Sequence, residues 1–383
     1  MATTHQPRGA RRSPVGRVLE EAPFLAGALT LAAFSLGLDC FLKGVADPLV
    51  AATLFAWLFA VMLWAAFGVV RHADALAELL GEPYGTLILT ISVIGIEVSL
   101  IAAVMLTGEA SPTLARDTMF AVLMIVLGGL VGVSLLLGGI RHHEQSYNLE
   151  GARAFLVVLI PAAVFALVLP KFTLSTIAPT FSTAQAAFFG AITALLYGVF
   201  LAIQTSRHRG WFQHVGAAAG EDAEADAHGH GPTRSVAYHA ILLVLTLVPI
   251  VLLSKRLASL VDFGTTTMGL PVALGGILIA LLVLAPEGLA ALRSARDNQL
   301  QRAVNLLLGS ATATIGLTVP AVLAISLYTG EPVILGLDDV SMVILLLTLL
   351  VCTLTFGGAP TNMLQGAVHV VLFLAYLLLI VSP

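Results

Sequence analysis

Charged side chains are scarce in this chain. Asp, Glu, Lys and Arg make up 10% of its 383 residues, against about 25% in a soluble domain. That excludes a water-soluble globular fold. Cysteine is nearly absent. Cys40 and Cys352 both fall in or at the ends of apolar runs, so neither a disulfide framework nor a cysteine zinc site is expected. Strand-type alternation is missing, which argues against a membrane β-barrel. No GxxxxGK[ST] loop occurs, which argues against ATP drive. The chain also lacks a paired intramembrane Asp, a His-Glu-x-x-His and a Gly-x-Ser-x-Gly, the settings an intramembrane hydrolase would want.

What the chain has is apolar length. It is 58% hydrophobic, with a mean hydropathy of +0.98. The expected fold class is an all-α polytopic membrane protein. A hydrocarbon core about 30 Å thick takes about 20 residues of helix. Eleven runs qualify, at about 23–42, 48–70, 84–106, 118–140, 153–169, 184–204, 236–254, 268–289, 303–328, 340–358 and 362–381. The first follows an Arg-rich head (Arg8, Arg11, Arg12, Arg17) in the manner of a signal peptide. With ten further spans behind it, it reads as a retained helix. If the N-terminus is cytoplasmic, 13 of the 18 Lys and Arg fall on inside segments and 5 outside. The positive-inside rule then supports an odd number of spans in a cell inner membrane, with the C-terminus outside.

The longest polar stretch runs from Ser206 to Arg234 and contains GAAAGEDAEADAHGHGP, a linker by composition. The expected organisation is a cytoplasmic segment 1–22, a leading helix 23–42, a five-helix unit 43–205, the acidic linker 206–234, and a second five-helix unit 235–383. Five is odd, so the two units insert with opposite orientation. Inverted repeats around a midplane site are a transporter signature. Residue order supports the repeat. Gly81-Glu82-Pro83 precedes Glu97 by 16 residues, and Gly269-Leu270-Pro271 precedes Glu287 by 18. Ala115-Arg116-Asp117 and Gly128 follow the first glutamate; Ala295-Arg296-Asp297 and Gly309 follow the second.

Glu97 and Glu287 are the carboxylates deep inside spans, whereas Asp39 and Asp47 lie near span ends. A charge near the bilayer centre costs about 2.5–3.5 kcal/mol on insertion scales, and its usual uses are a proton relay or a cation site. A lone carboxylate in low dielectric takes up a proton, while a cation in the same place favours the ionised form. One group can therefore hold either. The alternative is a protonated Glu bonding a carbonyl between helices. Thr86, Thr90 and Glu97 share a helical face, and Asn305, Gly309, Thr312 and Gly316 follow at spacings of 4, 3 and 4. Thr86, Thr90, Asn305 and Thr312 are the candidate supporting oxygens for a hard cation, set against ordinary bonding of each hydroxyl to its own helix. Pro286, directly before Glu287, withholds an N–H and frees a carbonyl. His369 reads either as a proton-path residue or as a bond between helices. His228 and His230, with Glu221, Asp222, Glu224 and Asp226, read as a metal site or as a solvated linker.

The segments LGEPYGTLILTISVIGIEVSLI and APEGLAALRSARDNQLQRAVNLLLGS, with the two five-span halves, resemble bacterial calcium/proton antiporters of the cation/Ca²⁺ exchanger superfamily. The resemblance covers nearly all of 20–383. It implies an acidic ion-site residue in each repeat, here Glu97 and Glu287. The plant and fungal pattern has Gly-Asn-Ala-x-Glu; this chain has Val93-Ile94-Gly95-Ile96-Glu97 and Leu284-Ala285-Pro286-Glu287, without the Asn. The closer bacterial branch is associated with Na⁺ and K⁺ export as well as Ca²⁺. The expected function is a secondary antiporter, not an enzyme, exporting Ca²⁺ (or Na⁺ or K⁺) for H⁺ by alternating access. The alternatives are a cation channel and a Na⁺(K⁺)/H⁺ exchanger without Ca²⁺ transport. No cofactor and no nucleic acid are expected. The partners are inorganic cations, protons and the bilayer.

Overall fold

The computed structural model describes residues 20–38, 47–80, 84–105, 112–212, 234–271, 273–358 and 360–382, without the side chains of 84–87, 89, 103 and 104. The N-terminal arginines, Cys40, the His228 and His230 stretch and the Thr86 side chain lie outside the described residues.

Those residues form eleven helices. They are α1 (Ala22–Ala33), α2 (Pro48–Leu80), α3 (Tyr84–Met105), α4 (Leu114–His142), α5 (Leu149–Lys171), α6 (Thr183–Arg207), α7 (Val236–Thr267), α8 (Ala273–Arg296), α9 (Leu300–Thr329), α10 (Asp339–Thr355) and α11 (Met363–Val381). Each overlaps one of the eleven apolar runs. Eight are long and apolar enough to cross a membrane, and Ala22–Gly37, Thr90–Ala102 and Asp339–Thr355 are shorter apolar stretches. The chain is a multi-pass membrane protein. Helices α2 and α7, of 33 and 32 residues, outrun their hydrophobic segments. At about 1.5 Å per residue they exceed a 30 Å core and must tilt or project.

Helix starts follow local chemistry. Asn148, Ser235 and Asp338 cap α5, α7 and α10 with side-chain oxygens. Reciprocal capping boxes, Ser182 with Gln185 and Asn362 with Gln365, open α6 and α11. Helices α4 and α9 each widen into a π-turn, at Met124–Leu130 and Thr314–Thr318. Such turns free backbone groups and recur at functional sites.

The loops gather at two faces. At the proximal face, where α6 ends and α7 begins, Glu144–Gln145 pairs antiparallel with Thr361–Asn362, and Gln145 Nε2 donates to the Ala295 carbonyl (2.9 Å). Here too Glu21 binds Arg71, His72, Arg234 and Tyr238, and His72 meets His239 at 3.0 Å, tying α1, α2 and α7. At the distal face the Gly336 N–H donates to the Pro179 carbonyl (3.0 Å) and the Leu337 N–H to that of Leu167 (2.8 Å), while Lys171 pairs with Asp339 (2.6 Å).

Two apolar clusters hold the bundle. One joins α1, α2 and α7 around Leu58, Met62, Val69 and Leu253; the other joins α4, α5, α6, α9, α10 and α11. Helices α3 and α8 give residues to both, Ile96 and Leu282 to the first, Ile94 and Leu284 to the second. Several of the helix contacts are reciprocal. Helix α2 lies along α7. Helix α3 packs on α7, and α8 on α2. Helix α4 packs on α8 and α11, and α9 on α3 and α6. Exchanging α2–α6 for α7–α11 leaves this set unchanged. The Ala-Arg-Asp match does not survive in space. Ala115–Asp117 opens α4, whereas Ala295 and Arg296 end α8 and Asp297 stands in the following turn.

Small residues let α4 and α11 touch. A Cβ on Gly132 would stand 2.8 Å from the Val370 nitrogen, and one on Gly366 2.6 Å from that of Leu136. Gly132→Val therefore forces α11 off α4. The expected cost is about 1–3 kcal/mol, as for overpacked cores, read as a lowered thermal unfolding midpoint in detergent. An unchanged midpoint would show that the contact gives way freely.

Candidate functional site

Helix α3 runs from the proximal to the distal face and α8 runs back beside it. Glu97 lies 13 residues after Tyr84 and 8 before Met105. Glu287 lies 14 after Ala273 and 9 before Arg296. Both glutamates thus sit near the middle of neighbouring antiparallel helices.

Their surroundings differ. Glu97 is fully buried. Its Oε2 accepts a hydrogen bond from Thr314 Oγ1 (2.8 Å), and its Oε1 has no partner. Thr318 comes near the same carboxylate, yet its buried hydroxyl is unpartnered. Glu287 reaches the end of a cavity of about 290 Å³. Ser310 approaches it, and its Oε2 is unanswered. Ser310, Thr314 and Thr318 stand four apart on α9, the last two within its π-turn. Three hydroxyls recurring every four residues are the signal in the sequence that locates this face.

The cavity opens toward the proximal face. Thr90, Val93 and Ile94 of α3, Tyr197, Phe200 and Gln204 of α6, and the start of α9 line it. Phe155, Phe200 and Phe212 build one wall, with ring centroids 5.1–6.0 Å apart. Tyr197 lies across from Thr90 and packs over Gly316, where a Cβ would stand 2.6 Å from its ring. Arg209 and Arg302 stand toward the mouth.

The structure brings some expected residues together and separates others. Thr90 and Asn305 line the cavity with Glu287. Asn305 is engaged, donating to the Phe212 carbonyl (2.6 Å) and accepting from Gln301 (2.8 Å). Thr312 does not line the cavity. Its hydroxyl donates to the Leu308 carbonyl of its own helix (2.7 Å), because the cavity face runs through Gly309, Ser310 and Ala313. His369 stands apart from the cavity lining. Its Nδ1 meets the Leu127 carbonyl (2.6 Å), inside the α4 π-turn, and its Nε2 meets Thr355 Oγ1 (2.9 Å). Both ring nitrogens are used to join α11 to α4 and α10. Among the described residues no three His, Cys, Asp or Glu side chains group as a metal site.

The profile of the family described as sodium/calcium exchanger protein matches residues 50–206 and 238–382, one segment on each side of the linker. The chain is 46% identical over 319 residues to the sodium-potassium/proton antiporter ChaA of Escherichia coli (strain K12), covering 83% of this chain and 86% of that protein. It is 24% identical over 247 residues to the Ca(2+)/H(+) antiporter ChaA of Bacillus subtilis (strain 168), covering 63% and 68%. Among solved structures, native YfkE superposes with a TM-score of 0.71 at 17% identity, covering 94% of this chain and 99% of that one. The H⁺/Ca²⁺ exchanger CAX superposes with a TM-score of 0.65 at 16% identity, covering 94% and 88%.

Thr314→Val keeps the volume and removes the hydrogen bond that Glu97 accepts. A buried group left unsatisfied costs about 1–3 kcal/mol, or a change of about five- to 150-fold in apparent cation affinity. Thr312→Val leaves the affinity close to wild type. Cation titration of flux in proteoliposomes separates the two variants. Equal affinities would mean that Thr314 does not shape the site.

Proposed function

The chain belongs to the sodium/calcium exchanger protein family, whose members are secondary transporters, and on that premise we propose that it exchanges a hard cation for protons at Glu97 and Glu287. One observation carries this reading. Two carboxylates, each with an oxygen unanswered, stand mid-helix on packed antiparallel helices, one sealed and one at the end of a cavity. A buried carboxylate without a partner takes a proton, and a cation in its place displaces that proton. Binding of one therefore excludes the other, which couples their movements.

The cation is Na⁺, K⁺ or Ca²⁺. Carboxylates, the Ser310, Thr314 and Thr318 hydroxyls, water and the Leu282 carbonyl left without an N–H partner by Pro286 form an oxygen donor set, and oxygen suits these ions. The 46% relative is a sodium-potassium/proton antiporter and the more distant one a Ca(2+)/H(+) antiporter, which supports the same range.

The proximal face is cytoplasmic in this reading. Arg71, Arg141, Arg153, Arg207, Arg209, Arg234, Arg293, Arg296 and Arg302 lie toward it, and Arg116 and Lys171 lie at the distal face, as the positive-inside rule requires. The halves α2–α6 and α7–α11 are inverted repeats, supported by the reciprocal packing and by the paired family matches. Access to the two glutamates alternates between the proximal and distal faces. The sealed state of Glu97 favours this over a channel, which needs a continuous pore.

Glu97→Gln and Glu287→Gln each abolish exchange, since an amide mimics the protonated acid and releases no proton. In wild type the apparent cation affinity falls as pH falls, because protons compete for the same oxygens. Both are read in inside-out vesicles with each cation added singly to an established pH gradient. Near-wild-type exchange in either variant, or an affinity indifferent to pH, sinks the assigned roles.

A further inference from the structure

A second cavity, of about 520 Å³, opens at the distal face. Its walls come from α4 (Arg116, Asp117, Phe120), the chain entering α8 (Pro271, Ala273), α10 (Ser341, Ile344) and α11 (Tyr376, Leu379). The proximal cavity is walled by α9, α3, α5 and α6, with Glu287 at its end. Exchanging the two halves turns one set of helices into the other, α9 into α4, α3 into α8, α5 into α10 and α6 into α11.

The match extends to single residues. Arg302 is the third residue of α9 and Arg116 the third of α4; Leu306 and Phe120 are the seventh of each. All four line their cavities. Tyr197 and Phe200 stand three apart on α6, and Tyr376 and Leu379 three apart on α11. Both helices open with a capping box, and counted from that cap the pairs differ by one position.

The cavities differ in depth. The proximal one reaches Glu287, while Glu97 is absent from the distal lining and fully buried. Two contacts close the way. Gly276 of α8 lies against α4 so tightly that a Cβ would stand 2.6 Å from the Asp117 carbonyl carbon. Arg116 binds Asp117 Oδ1 through Nε (2.8 Å) and donates through Nη1 to the Gly336 carbonyl (3.2 Å), lacing α4 to the strand of chain before α10. Just inside stands Thr118, buried with its hydroxyl unpartnered.

We propose that the distal cavity is the exit vestibule of the transport path, the closed counterpart of the proximal cavity, and that the Arg116–Asp117–Gly336 clasp holds it shut in this conformation. It rests on the antiport reading. When α4 parts from the α8 start at Gly276 and from the chain before α10 at Gly336, the vestibule deepens past Thr118 to Glu97, and the cation leaves while a proton enters. Tyr376 and Leu379 then line the path as Tyr197 and Phe200 do on the proximal side.

The test uses full-length protein in oriented proteoliposomes, with Cys40 and Cys352 replaced by alanine and one cysteine returned, L379C or F200C. The probe is a membrane-impermeant, charged methanethiosulfonate, with labelling read by mass and exchange read by flux. L379C is expected to label from the distal side only and to lose exchange on labelling; F200C does the same from the proximal side. Adding R116Q to L379C raises the labelling rate by loosening the clasp. Complete distal labelling of L379C with exchange intact overturns the proposal, as does labelling of L379C from the proximal side, or a rate indifferent to R116Q. Absence of exchange in the unlabelled parent counts against the antiport reading, whereas the sidedness of labelling and its response to R116Q still decide the vestibule by themselves.

Discussion

A carboxylate sealed among apolar helices cannot stay charged and alone. Transfer of an isolated ion into such a medium is so unfavourable that the group neutralises or finds a counter-charge. Glu97 meets that constraint with one hydrogen bond from Thr314 and one oxygen unanswered. That oxygen is what a proton or a cation can satisfy. The placement of α3 against α8, the hydroxyls of α9 and the closure at the distal face keep Glu97 buried.

The bundle is built so that those helices can be shared. The α1, α2, α7 cluster and the larger cluster of α4–α6 and α9–α11 are separate apolar cores, and α3 and α8 face both. Close glycine contacts bind α4 to α11. The π-turns of α4 and α9 spend backbone regularity where it is useful. One offers the Leu127 carbonyl to His369; the other places Thr314 and Thr318 beside Glu97. Irregular backbone at membrane depth is tolerated only where protein or a cavity satisfies it, and both turns meet that condition.

The two cavities are made from exchanged sets of helices, yet only one reaches a glutamate. The difference comes from small contacts. Gly276 rests against Asp117 and Thr118, and Arg116 reaches the Gly336 carbonyl. In the inverted arrangement proposed above, the same closure is available at either face, so opening one side and shutting the other need no new fold.

The eleven helices were legible because bilayer thickness sets a length, and apolar runs of that length stand out in any chain so poor in charge. Glu97 and Glu287 stood out for the same reason, as the carboxylates inside those runs. The partners of Glu97 did not. A strict α-helical face through Asn305 and Gly309 pointed to Thr312, while the face that meets the cavity turns through Ser310 and continues to Thr314 and Thr318. The Ala-Arg-Asp tripeptides matched as text and fell on different helices. Hydropathy and helical period are properties of one segment, so the sequence by itself determined where helices run and which acids they carry. Which hydroxyl meets which acid, which cavity is open and which nitrogen of His369 meets Leu127 depend on how segments far apart in the chain rotate against each other, and only the packed structure decided that.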